Sequence, residues 1–102
     1  PFLTRQATQL LVERGIEHLV LDVPSADRTD DEGRLTAHRI FFGLPVGSVR
    51  LADATRRHCT ITELACFPEE LTDGPCGLLL QIPALDGDAV PSRPIHLPLV
   101  NR

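Results

Sequence analysis

The chain contains no methionine and no lysine, and its hydrophobic residues never gather into a long run. A translated chain starts with methionine, so a sequence that opens on Pro1 and holds none is expected to be a piece of a longer product. All ten basic residues are arginine. Scattered as they are, with Arg56-Arg57 the one adjacent pair, they are read as a bias of base composition and not as an anion site. No stretch approaches the roughly 20 apolar residues that span a bilayer, and the N-terminus lacks a charged-then-apolar leader pattern. A cytoplasmic protein without a membrane partner is expected. The three cysteines, Cys59, Cys66 and Cys76, form no C-x-x-C pair, and an odd count argues against a disulfide framework. They are expected to be small core residues. There is no Gly-rich phosphate loop, internal repeat or low-complexity tract.

What is present bounds the answer. At 102 residues the chain holds one domain at most, with a modest core. Its hydrophobic content of 42% suits a globular protein, and a net charge of −4 speaks against a nucleic-acid partner.

Along the chain, Leu3, Ala7, Leu10 and Leu11 have the spacing of an amphipathic helix over 3–14, with Gly15 as its stop. His18 to Val23 reads as a mostly buried strand. From Pro24 to Arg34 the chain turns polar. Its acidic residues lack the fixed spacing of a Ca²⁺ loop and read as solvated. Thr36 is the expected N-cap of a short helix that ends before Gly43 and carries His38 in its first turn. Residues 46–57 form an irregular connection with a helical turn near Leu51 to Thr55. Cys59 to Leu64 alternates as a strand, placing Glu63 on the face of Cys59 and Ile61, where a carboxylate needs a partner. Phe67 to Leu71 reads as a helical turn. Gly77 to Ile82 reads as a strand buried on both faces, and Ile95 to Val100, near Pro94 and Pro98, as an edge strand. The whole is α/β.

Four histidines could carry chemistry. His18 and His96 lie in or beside apolar strands and are read as structural. His58, Cys59 and Glu63 are neighbours in sequence, but adjacent strand residues point to opposite faces and cannot easily share an ion. His38 and Glu63 make the better pair, because imidazole and carboxylate suit Zn²⁺ or Mn²⁺. Their ligating atoms should then lie within about 4 Å of each other. Ser25 and Asp27, in the loop beyond a strand's carboxyl end, are expected to line a substrate pocket, since open α/β sheets bind ligands there.

The segment Asp22-Val23-Pro24-Ser25-Ala26-Asp27, with Ala37-His38 after it, resembles the Asp-Thr-Pro-Ser-Val-Asp loop and following Ala-His of the metal-dependent cyclase family. That family includes kynurenine formamidase (arylformamidase) and isatin hydrolase. Ile61-Thr62-Glu63-Leu64 is similar to its Leu-Glu-Asn-Leu segment, Pro68 to Gly74 to the connection after it, and Leu79–Pro83 with Pro91–Leu97 to its closing strands.

The resemblance implies the C-terminal half of a swivelling β/α/β-type fold, with short strands forming a sheet or barrel-like core and helices at its flanks. It implies that 1–102 is a single or partial domain and that His38 and Glu63 supply part of a Zn²⁺ or Mn²⁺ site. The remaining ligands come from an upstream His-x-x-x-His-x-Asp-x-Pro motif, and the catalytic acid/base is a further upstream histidine; these residues contain neither. Metal-bound water would attack a formamide or cyclic amide, with N-formylkynurenine, from tryptophan breakdown, as the leading substrate. The intact protein would be a homo-oligomeric enzyme, and the 102 residues alone inactive. Two features depart from the family: Val23 stands where threonine is common, and the His38-to-Glu63 connection is longer than usual. The other reading of the residues is a non-catalytic, stand-alone domain that binds a ligand or protein through Pro24 to Asp27.

Overall fold

The computed structural model describes residues 1–100. It is mixed α/β, with two small sheets and helices, and divides into two compact units, Pro1–Cys66 and a second beginning at Phe67. No helix among the described residues is long and apolar enough to cross a membrane.

In the first unit, helix α1 spans Arg5–Glu13. Thr4 caps it by accepting the Ala7 N–H at 3.1 Å, and Gly15, at φ 73°, turns the chain out of it. The expected helix is thus present, with Leu3, Ala7 and Leu11 half-buried, but its most buried position is Thr8 and Leu10 is turned outward. Thr8 is fully buried, its hydroxyl donating to Thr4 O at 2.9 Å, while Leu10 is 50% exposed. The face is chosen by helix α2, Thr36–Phe41, which packs against α1.

Strand β1, His18–Val20, pairs in parallel with β2, Thr60–Thr62, Leu19 opposite Ile61. Backbone bonding continues past both strands, with Leu21 N donating to Thr62 O at 2.8 Å and Leu64 N to Val23 O at 3.0 Å. The carboxyl ends of the two strands therefore stay together, and the loop 22–27 and Glu63 both leave from that end.

Phe41 is the largest fully buried side chain, accompanied by Ala26, Ala37, Ala54 and Cys59. Arg56 ties this core to its surroundings. Its guanidinium donates to Phe41 O at 2.8 Å and to Ile16 O, and lies 5.3 Å from the centre of the Phe41 ring. The irregular connection contains the expected turn, a short 3₁₀ helix at Leu51–Asp53. Gly43 sits at φ 64°, and a Cβ there would overlap the Thr55 hydroxyl oxygen. Gly43→Ala is expected to cost about 2 kcal/mol, combining left-handed strain with the clash. A urea midpoint unchanged by the substitution would contradict this.

In the second unit, β3 (Cys76–Gln81) and β4 (Arg93–Pro98) form an antiparallel pair, with Leu78 opposite His96. The leucine run of β3 is not buried on both faces: Leu78 is 43% and Leu79 48% exposed. A two-stranded sheet has no second layer within this unit to cover it. Both strands are edges, which suits the prolines at 94 and 98. The segment after Phe67 makes a single turn, Leu71 N donating to Pro68 O at 3.1 Å. The strands thus form two separate pairs, not one sheet or barrel-like core. The cysteine expectation also needs correction, since only Cys59 is buried, whereas Cys66 and Cys76 are exposed.

Candidate functional site

At the carboxyl end of the β1–β2 pair, Asp27, His38 and Glu63 form a chain of contacts. Asp27 is 5% exposed and spends both carboxylate oxygens on the start of α2. Oδ1 accepts the Ala37 N–H at 2.5 Å; Oδ2 accepts the His38 N–H at 3.3 Å and lies 2.6 Å from His38 Nδ1. The helix is therefore capped from ten residues upstream and not by Thr36, which lies inside it as its first residue. The residue at the cap position is Leu35, held left-handed at φ 48° by its N–H, which donates to Asp31 Oδ2 at 2.6 Å. Ala26 and Ala37 are almost completely buried, and their small side chains permit this close approach of loop and helix.

Glu63 follows directly after β2, outside the strand that the alternation of Cys59 to Leu64 predicts for it. Its Oε1 accepts the Ala26 N–H at 2.7 Å and lies 3.3 Å from His38 Nε2. The next residue, Leu64, is left-handed at φ 56°. A non-glycine residue in that region costs about 1 kcal/mol, so a strained residue follows Glu63 and another precedes the helix that carries His38. Nothing in composition or periodicity marks either.

The chemistry follows from which nitrogen does what. A carboxylate on Nδ1 selects the tautomer protonated there and leaves the Nε2 lone pair directed at Glu63, the arrangement found behind metal-ligating histidines. Two donors bonded to one ion at about 2.0–2.1 Å and at a tetrahedral angle stand about 3.3 Å apart. The Nε2 to Oε1 separation of 3.3 Å fits that edge. It equally fits a long hydrogen bond when Nε2 carries a proton. Asp27 cannot join the same ion through Nδ1's side of the ring, and no group of three His, Cys, Asp or Glu that could hold a metal occurs among the described residues. His38 and Glu63 are thus brought together as a pair, with no third ligand beside them among the described residues.

Of the other sequence candidates, Ser25 touches this chain of contacts through Asp27, and the remaining histidines lie apart from it. Ser25 is half-buried, its hydroxyl accepting the Asp27 N–H at 3.2 Å, which shapes the loop. Asp27 borders a cavity of about 130 Å³ together with Phe2, Thr4 and Arg28. That is below the roughly 300 Å³ at which small-molecule pockets begin. Among its polar contacts, those to His38 and the helix start dominate. His58 Nε2 faces Glu17 Oε1 at 3.3 Å, and its proposed neighbour Cys59 is buried, so His58, Cys59 and Glu63 do not assemble. His18 Nδ1 reaches the Thr60 hydroxyl across the sheet at 3.0 Å, a structural contact, and His96 is exposed on β4.

Comparisons of the chain with protein-family models, with curated proteins and with solved structures found no match to any of the three.

Proposed function

We propose that this chain is part of a metal-dependent amide hydrolase of the cyclase family, acting on a formamide or cyclic amide, with N-formylkynurenine as the leading substrate. The observation that carries the reading is the His38 Nε2 to Glu63 Oε1 distance of 3.3 Å, with Asp27 behind the imidazole.

In this reading His38 and Glu63 hold Zn²⁺ or Mn²⁺ with ligands from elsewhere in the encoded protein. The ion would supply Lewis-acid polarisation of the amide carbonyl and activation of water. The chain's own residues do the positioning. Asp27 fixes the His38 ring and its tautomer, the Ala26 N–H holds the Glu63 carboxylate in register, and Ser25 shapes the loop at the substrate side. Placement at the carboxyl ends of parallel strands agrees with where α/β proteins bind ligands. The finer fold assignment, half of a swivelling β/α/β arrangement, the cytoplasmic location and the homo-oligomer belong to the same proposal.

The test is on the full-length encoded protein. It is expected to take up Zn²⁺ or Mn²⁺ in a fixed stoichiometry and then to release formate from N-formylkynurenine. Failure both to take up metal and to open formamides or cyclic amides overturns the reading in favour of a non-catalytic binding domain.

A further inference from the structure

Three of the ten arginines scattered in the sequence meet in the fold. Arg5 in the first turn of α1, Arg34 ahead of α2 and Arg39 within α2 line one cavity of about 440 Å³. That volume lies in the range of small-ligand sites. No aspartate or glutamate lines it, although the chain carries a net charge of −4. We propose that this cavity binds a small organic anion, an oxyanion group joined to an apolar body.

The three arginines differ in what already holds them. Arg39 donates from Nη2 to Pro45 O at 2.9 Å and to Ser48 O at 2.7 Å. Those acceptors are neutral, so they fix the guanidinium and curl the 45–48 loop around it without offsetting its charge. Arg34 pairs with Glu32 at 2.6 Å, but the two side chains are 70% and 73% exposed, and such a pair is readily exchanged for a better anion. Arg5 makes no ion pair among the described residues. It stands at the positive end of α1, where the first turn holds no acidic residue, an unfavourable place for a cation that an anion in the cavity would correct.

The rest of the lining points to an organic ligand. Ile40 and Leu44 supply apolar wall, and Val46 and Val49 stand on the rim 103% and 91% exposed. Two solvated valines beside three guanidinium groups would be covered by a ligand with an apolar body and not by bare phosphate. Neither His38 nor Glu63 lines the cavity, so this site is independent of the metal reading.

The test is calorimetric titration of the intact chain, with EDTA present, using phenyl phosphate, benzoate and inorganic phosphate. Phenyl phosphate or benzoate is expected to bind saturably and more tightly than inorganic phosphate, and the tighter of the two identifies the oxyanion. Arg5→Gln and Arg34→Gln, at exposed positions, are each expected to weaken binding about tenfold with an unchanged circular dichroism melt. No saturable binding, inorganic phosphate binding as tightly as the aryl anions, or an affinity unmoved by both substitutions overturns the proposal. Because chelator is present throughout, such a failure leaves the metal reading untouched.

Discussion

Asp27→Asn is expected to destabilise the first unit by about 3 kcal/mol, because a buried carboxylate with three donors loses one of its two acceptor oxygens. Oδ1 and Oδ2 receive the Ala37 and His38 N–H groups and face His38 Nδ1. An asparagine amide turns its NH₂ toward at least one of those donors, which then lies unsatisfied in a site only 5% exposed. Each bond to the charged group contributes about 1.5–3 kcal/mol, and helix α2 loses its cap at the same time. The chain has no tryptophan or tyrosine, so urea unfolding is best followed by circular dichroism. A midpoint within error of the parent chain would falsify the role given to Asp27.

His38→Gln separates the site from the fold. On the proposed metal reading, it lowers Zn²⁺ or Mn²⁺ affinity of the full-length protein by at least about 100-fold, since it would remove a ligand outright and not its support. Stability should fall less than for Asp27→Asn. The His38 side chain is 26% exposed, and Asp27 keeps both backbone donors when the ring is gone. On the same reading Asp27→Asn, which touches the ion only through the His38 ring and the start of α2, weakens metal binding by about 10–100-fold. Competition against a chelator of known affinity measures all three proteins. Equal affinities for parent and His38→Gln would remove His38 from the ligand set, and an unshifted Asp27→Asn would show that its contact with Nδ1 does not tune the metal.

Much of the local structure was legible along the chain because local forces decide it. Gly15 and Gly43 follow α1 and α2 where a left-handed residue is needed, as expected, whereas the start of α1 at Arg5, capped by Thr4, lies inside the expected 3–14. Both parallel strands lie inside their expected ranges, and His38 falls in the first turn of its helix. The pairing of His38 with Glu63 was legible in residue type, since an imidazole and a carboxylate each need a partner.

Other features were not legible, and in each case the deciding neighbour is far away in sequence. The cap of α2 is Asp27 and not Thr36, because the loop beyond β1 folds back onto the helix start. Thr8 is buried and Leu10 half exposed because α2 lies on that side of α1. The leucines of β3 are exposed because a strand's hydrophobicity states what it could bury, while a covering layer must come from elsewhere. Arg5, Arg34 and Arg39 meet at one cavity although residues 5, 34 and 39 share no local pattern.

By itself, then, the sequence determined which stretches become helix or strand and which side chains have chemistry to offer, since periodicity, φ preference and donor type act within a few residues. Tertiary structure decided which faces are buried, that Asp27 serves His38 instead of open solvent, and that His38 and Glu63 meet while His58 and Cys59 do not. Those outcomes depend on contacts between segments ten to forty residues apart, which packing selects and local propensity does not encode.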